Sequence, residues 1–294
     1  NGITVFTGDA NWSDYDGSIG WIMASQMFGQ NRPFFWSVST IPQGTTWTQA
    51  STARVCLLNQ SGCTDSEFAQ HWKRAARTIL SGPRTANGKI IVRTGWEANG
   101  NWFWYKAKGQ EAQFAATYRN FVTAFRNAQA GAADVFMFDW NVSLGYDDGT
   151  NLNAMWPGDA YVDVVSGDLY WTPGGWDVQP TEGTAAWSYF MNHSVGLRWQ
   201  ETFARTHNKP IAFPEWGVKG NPPGGPQFIR NLRDWIVGHN TVYQSYWDSD
   251  YAFEGQMRGR SDATAVAYRQ NFAPLLVSDP GNPPSSSQPP SPPP

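Results

Sequence analysis

The sequence predicts a single (β/α)8 TIM barrel, an α/β fold, and three observations point there. Short β-rich apolar runs alternate with amphipathic helical stretches, as parallel strands covered by helices require. Seven such runs fall within roughly 280 residues, which suits a closed barrel better than an open sheet. The apolar runs are nearly continuous, as expected of strands buried on both faces.

The runs are Ile3–Phe6, then 33–39, 89–94, 133–140, 161–170, 209–215 and 241–247. The eighth strand is expected before residue 60, where the pattern is weakest. Helical spacing marks 65–80, where acidic residues lead and basic ones follow in accord with the helix dipole. It recurs through Phe114, Tyr118, Phe121, Val122 and Phe125, then over 188–207 and 227–237. The barrel is expected to occupy 1–278. Residues 279–294 form a Pro/Ser tract with no apolar residues to bury, and read as an extended, disordered linker. Such a linker is expected to lead to a further C-terminal module, a carbohydrate-binding one being the natural candidate.

The 294 residues are 40% hydrophobic and only 15% charged, with net charge −3 and no basic run. Binding of nucleic acid or of an anionic membrane is therefore not expected, since both need clustered Lys and Arg. No apolar stretch is long enough to span a bilayer. No leader peptide is visible, and a chain that starts at Asn1 reads as a processed form. Cys56 and Cys63 are the only cysteines, and in an exported protein they are expected to form a local disulfide. His71, His193, His207 and His239 are scattered, so neither a metal site nor any other cofactor is expected.

The chain holds 17 Trp, 17 Phe and 11 Tyr, more than one core needs. Some are expected to line a groove, where flat indole faces suit the apolar faces of sugar rings. In a barrel of this kind, chemistry sits at the C-terminal ends of the strands. Of the seven glutamates, only Glu97 and Glu215 stand at or just past such ends. Asp139, Asp168 and Asp248 also lie near strand ends and compete with them. Glycosidic bond cleavage needs one carboxyl to protonate the leaving oxygen and a second to attack the anomeric carbon or to activate water.

The stretch R-T-G-W-E-A-N-G-N-W-F-W-Y, 93–105, resembles the acid/base segment of glycoside hydrolase family 26 through Arg93, Glu97, Asn99, Gly100, Trp102, Phe103 and Trp104. Residues 156–170 and K-P-I-A-F-P-E-W-G, 209–217, are similar to its sixth-strand and nucleophile segments. The similarity runs over about 85–250. It implies a retaining mechanism with Glu97, at strand four, as acid/base and Glu215, at strand seven, as nucleophile. It implies that Tyr170 hydrogen-bonds the nucleophile, that Arg93 lies beneath both glutamates, and that Trp247 forms a platform under the cleaved sugar. Trp102 and Trp104 would line the groove, with Asn99, Asp168 and Trp96 among the substrate-binding set. The family's His before the acid/base is Trp96 here, and an indole cannot reproduce the hydrogen bonds of an imidazole. The expected function is secreted, extracellular hydrolysis of internal linkages in a polysaccharide, β-1,4-mannan or glucomannan. Mixed-linkage or β-1,4-glucan is the alternative substrate, and a non-catalytic sugar-binding protein is the alternative class.

Overall fold

In a computed structural model that describes residues 2–25, 32–251 and 253–273, seven parallel strands form one curled sheet. They are β1 (Ile3–Phe6), β2 (Phe34–Ser37), β3 (Ile90–Arg93), β4 (Phe136–Ser143), β5 (Val164–Trp171), β6 (Ile211–Val218) and β7 (Thr241–Tyr246), ordered as in the sequence. The eighth strand expected before residue 60 is not found among the described residues. There β1 pairs directly with β2, and β2 with β3, so no strand fits between them. The sheet is therefore a half-barrel of the (β/α)8 type. Between β1 and the end of β7 lies a cleft of about 440 Å³, bordered by Ile3, Thr4, Ser245 and Tyr246.

Strand alternation explains the two sides of the sheet. Phe35, Ile91, Met137, Val164, Ala212 and Tyr243 turn inward and pack together at the bottom of the half-barrel. Two residues further along, Ser37, Arg93, Asp139 and Ser166 form a buried polar layer, and another step brings Asn141 and Asp168 to the top. The opposite faces, through Trp36, Val92, Phe138, Val165 and Phe213, join the helices in one large core. Helix Glu67–Leu80 buries Ala69, Trp72, Ala76, Ile79 and Leu80 along one stripe. Helices Glu111–Arg126 and Gly225–Gly238 do the same with Phe114, Tyr118, Phe121 and Phe125, and with Phe228, Leu232 and Trp235.

The helix expected over 188–207 is two helices, Gly183–Asn192 and Leu197–Thr206. A Cβ on Gly196 would lie 2.3 Å from the Phe190 carbonyl oxygen, so the chain passes too close there to carry a side chain. Residues 132–135 form one helical turn, so β4 starts at Phe136, three residues later than expected. The Pro/Ser tract 279–294 lies outside the described residues. Cys56 and Cys63 are joined in a disulfide. No described helix is long and apolar enough to cross a membrane.

Candidate active site

Arg93 ends β3 pointing inward, 2% exposed, and organises the site. Its Nη1 donates to both Asp168 oxygens, at 3.0 and 2.7 Å. Its Nε and Nη2 donate to Ser37 Oγ at 3.0 and 2.8 Å, and Nη2 also pairs with Glu215 Oε1. Burial alone would lower the pKa of this guanidinium, but Asp168 and Glu215 outweigh it and the net displacement is upward. Removing one partner of such a cluster typically costs about 3–5 kcal/mol, because the charge left behind is buried and unpaired.

Past Arg93 the chain makes a left-handed turn. Gly95 has φ +59°, and Cβ there would meet the Phe114 ring at 2.8 Å, so glycine is required. Glu97 itself has φ +51°, a strained conformation for a residue with a side chain. It is held by Asn141 Oδ1, which accepts from Glu97 N at 3.0 Å, and by Gly100 N, which donates to Glu97 O at 2.8 Å. The turn aims the Glu97 carboxyl back over the sheet, where Trp102 Nε1 donates to Oε2 at 3.0 Å. Burial, and then the charge of Glu215, push this carboxyl up to about 7, against the pull of Trp102, Arg93 and Ser143.

Glu215 lies within β6, where the pairing register with β7 slips between Phe213 and Trp216. Such irregularities re-aim side chains next to functional sites. Its Oε2 accepts from Tyr170 Oη at 2.8 Å while Oε1 faces Arg93. Burial and then the Glu215 charge hold the Tyr170 phenol protonated, its pKa displaced upward. Asn141 Nδ2 donates to Asp168 Oδ1 at 3.0 Å, so one chain of contacts runs from the Glu97 backbone through Asn141, Asp168 and Arg93 to Glu215 and Tyr170.

Glu97 and Glu215 line one cavity of about 640 Å³. Trp102, Tyr170 and Trp247 line it with them, and so do Phe103, Tyr146, Trp176, Gln179 and Phe253, which strand-end reasoning did not single out. Phe103 stood inside the quoted motif, whereas Tyr146, Trp176, Gln179 and Phe253 come from loops without periodicity. Arg93 and Asp168 lie beneath the cavity and not on its wall. Asn99 is 3% exposed, and both ends of its amide are taken by the Ser143 backbone, at 3.1 and 2.8 Å. It ties the β3 and β4 loops together. Trp96, 8% exposed, packs edge-on against Phe6, Phe103 and Tyr105, with the Arg93 guanidinium 5.4 Å from its ring centre. Trp104 stands outside the cavity, its indole N–H directed to Asp9 at 3.4 Å.

Of the competing aspartates, Asp248 caps its own loop by accepting from Met257 N and Arg258 N. Asp139 lies in the buried layer below, bonded to Tyr243, and burial pushes it up to about 6. The described residues contain no cluster of His, Cys, Asp and Glu able to hold a metal ion.

Two carboxyls on one sugar-sized cavity, one pushed up to about 7 and the other in contact with Arg93, are the kind of pair that cleavage of a glycosidic bond requires. The family model Glycosyl hydrolase family 26 matches residues 44–188, a span that carries Glu97, Asp168 and Tyr170. The chain is a family 26-like glycoside hydrolase. No curated protein sequence matches this family 26-like enzyme. Among solved structures it is similar to a GH26 β-mannanase from Bacteroides ovatus, at 15% identity and TM-score 0.53, over 88% of this chain and 72% of that one. It is also similar to a modular endo-β-1,4-mannanase from Cellulomonas fimi, at 20% identity and TM-score 0.57, over 91% of this chain and 58% of that one. A Bacillus subtilis mannanase aligns at 15% identity and TM-score 0.53, over 92% and 76% of the two chains. The family 26-like enzyme thus spans little more than half the length of the Cellulomonas protein, and at these identities the structural likeness speaks for the fold alone.

Proposed function

We propose that this enzyme is exported and cleaves internal linkages of β-1,4-mannan or glucomannan with retention of configuration. The observation that carries the reading is the shared cavity of Glu97 and Glu215, with one carboxyl pushed up to about 7 and the other paired with Arg93. Glu97 donates its proton to the departing oxygen while Glu215 attacks the anomeric carbon. Glu97 then takes a proton from the water that releases the glycosyl group. Tyr170 and Arg93 hold Glu215 in line. Support for mannan is the set of mannanases among the structural neighbours. Support for export is the Cys56–Cys63 disulfide, since such bonds persist in oxidising compartments.

A glucan is the alternative substrate: Trp96 stands where the family carries a His and, 8% exposed, does not line the cavity, a departure that bears on which sugar is held there. Reducing-end release from mannan, glucomannan, mixed-linkage glucan and cellulose separates the two readings. Mannan or glucomannan cleavage is expected, yielding a ladder of products early in the digest. Glu97→Gln and Glu215→Gln should each lower kcat by roughly 10²–10⁴-fold on the preferred polymer while the fold persists. Wild-type turnover in either variant would remove that residue from its role, and binding without cleavage of any polymer would make this a sugar-binding protein.

A further inference from the structure

Beside the catalytic cavity lies a second hollow of about 260 Å³, lined by Thr172, Trp176, Lys219, Asp250, Phe253 and Glu254. Trp176 and Phe253 belong to both, so the two hollows share one aromatic wall. Trp176 is 54% exposed, far more than a packing residue would be, and its ring centre lies 5.9 Å from that of Phe253. The loop that carries it is closed on itself. Thr172 N donates to Gln179 Oε1 at 2.7 Å, and Gly174 N donates to Gln179 O at 2.9 Å. Gln179 is 5% exposed, so its buried amide clamps the loop and presents the indole outward. On the far side, Lys219 Nζ stands 3.3 Å from Glu254 Oε1, and both remain accessible.

We propose that this hollow is a distal subsite for one further neutral sugar ring of the main chain bound in the catalytic cavity. An exposed indole beside one ammonium and two carboxylates offers a ring a stacking face together with donors and acceptors for its hydroxyls. Two acids against one base disfavour an acidic sugar. The continuous aromatic wall makes the ring a continuation of the bound chain. The proposal rests on the glycanase reading above and adds a length requirement to it.

The test is kcat/KM for the wild type on linear β-1,4-mannooligosaccharides, and on cello-oligosaccharides, of three to seven units. Wild type should show a step of roughly threefold to tenfold where the chain becomes long enough to reach Trp176. Trp176→Ala and Lys219→Ala should each erase most of that step. Trp176→Phe should retain part of it, which a merely structural role for the loop would not predict. A step of equal size in wild type and both alanine variants, or no step at all in an active wild type, overturns the subsite while leaving the glycanase reading intact. A wild type inert on every chain length overturns both.

Discussion

Glu97 carries the sharpest pH consequence. Its carboxyl, pushed up to about 7, must be protonated to act, so kcat/KM should fall as pH rises past that value. The Trp102 hydrogen bond opposes the upward displacement, so Trp102→Phe should move this basic limb to higher pH. A limb that stays put or moves down would contradict the assignment. Stability follows from the same displacement. A folded pKa raised above the unfolded value of about 4.3 means that the native state keeps a proton the unfolded chain releases. That stabilisation is full below pH 4 and is lost as pH rises through 7. Glu97→Gln, permanently neutral, should therefore melt above wild type at pH 8, by roughly 2–4 °C per kcal/mol relieved, and show no such gain at pH 4. Thermal melts at the two pH values check this. That both glutamates reach one cavity was legible in the sequence, because strand ends are where the functional face of a barrel sits. The placements of Trp96, Asn99 and Trp104 were not. After Gly95 the chain leaves the strand through left-handed turns, so alternation no longer tells which side chain faces the groove.

Strands and helices were legible where their period was long and uninterrupted. The stripe of Phe114, Tyr118, Phe121 and Phe125 needed only its spacing. The break between the helices Gly183–Asn192 and Leu197–Thr206 depends on a tertiary contact, the approach of Gly196 to the Phe190 carbonyl. Gly196→Ala should therefore cost roughly 1–3 kcal/mol in denaturant titration, a typical overpacking penalty, and a neutral substitution would show that the backbone yields there. The register slip in β6 was likewise invisible. Residues 209–215 read as one continuous strand, whereas the pairing shifts between Phe213 and Trp216. Glu215, inside that irregular stretch, meets Arg93 and Tyr170 at once.

The molecule as a whole divides its aromatic surplus between two tasks. Trp36, Trp47, Trp72, Trp140, Trp171 and Trp216 are fully buried in the main core. Their indole N–H groups are partly satisfied by backbone carbonyls, as with Trp72 on Thr40 and Trp47 on Tyr105, both at 2.8 Å. Trp102, Trp176 and Trp247 line the cavity instead. Composition announced the surplus but not the division, because burial depends on the helices packed outside the sheet. The half-barrel, with direct pairing of β1 to β2, likewise followed from no local signal. The disulfide closes a loop of about eight residues ahead of helix Glu67–Leu80, and chain-entropy arguments give it about 2.5 kcal/mol. The double variant Cys56→Ser, Cys63→Ser should lose that much stability in denaturant titration with catalysis unchanged.

Covalent trapping tests the two glutamates together. The enzyme is incubated with a 2-fluoro-β-glycosyl substrate analogue that bears a good leaving group, and its peptides are mapped by mass. Glycosyl mass on the peptide that contains Glu215, lost in Glu215→Gln, is the predicted result. A label on another carboxylate, or an active enzyme that never labels and releases product of inverted configuration, would contradict the account.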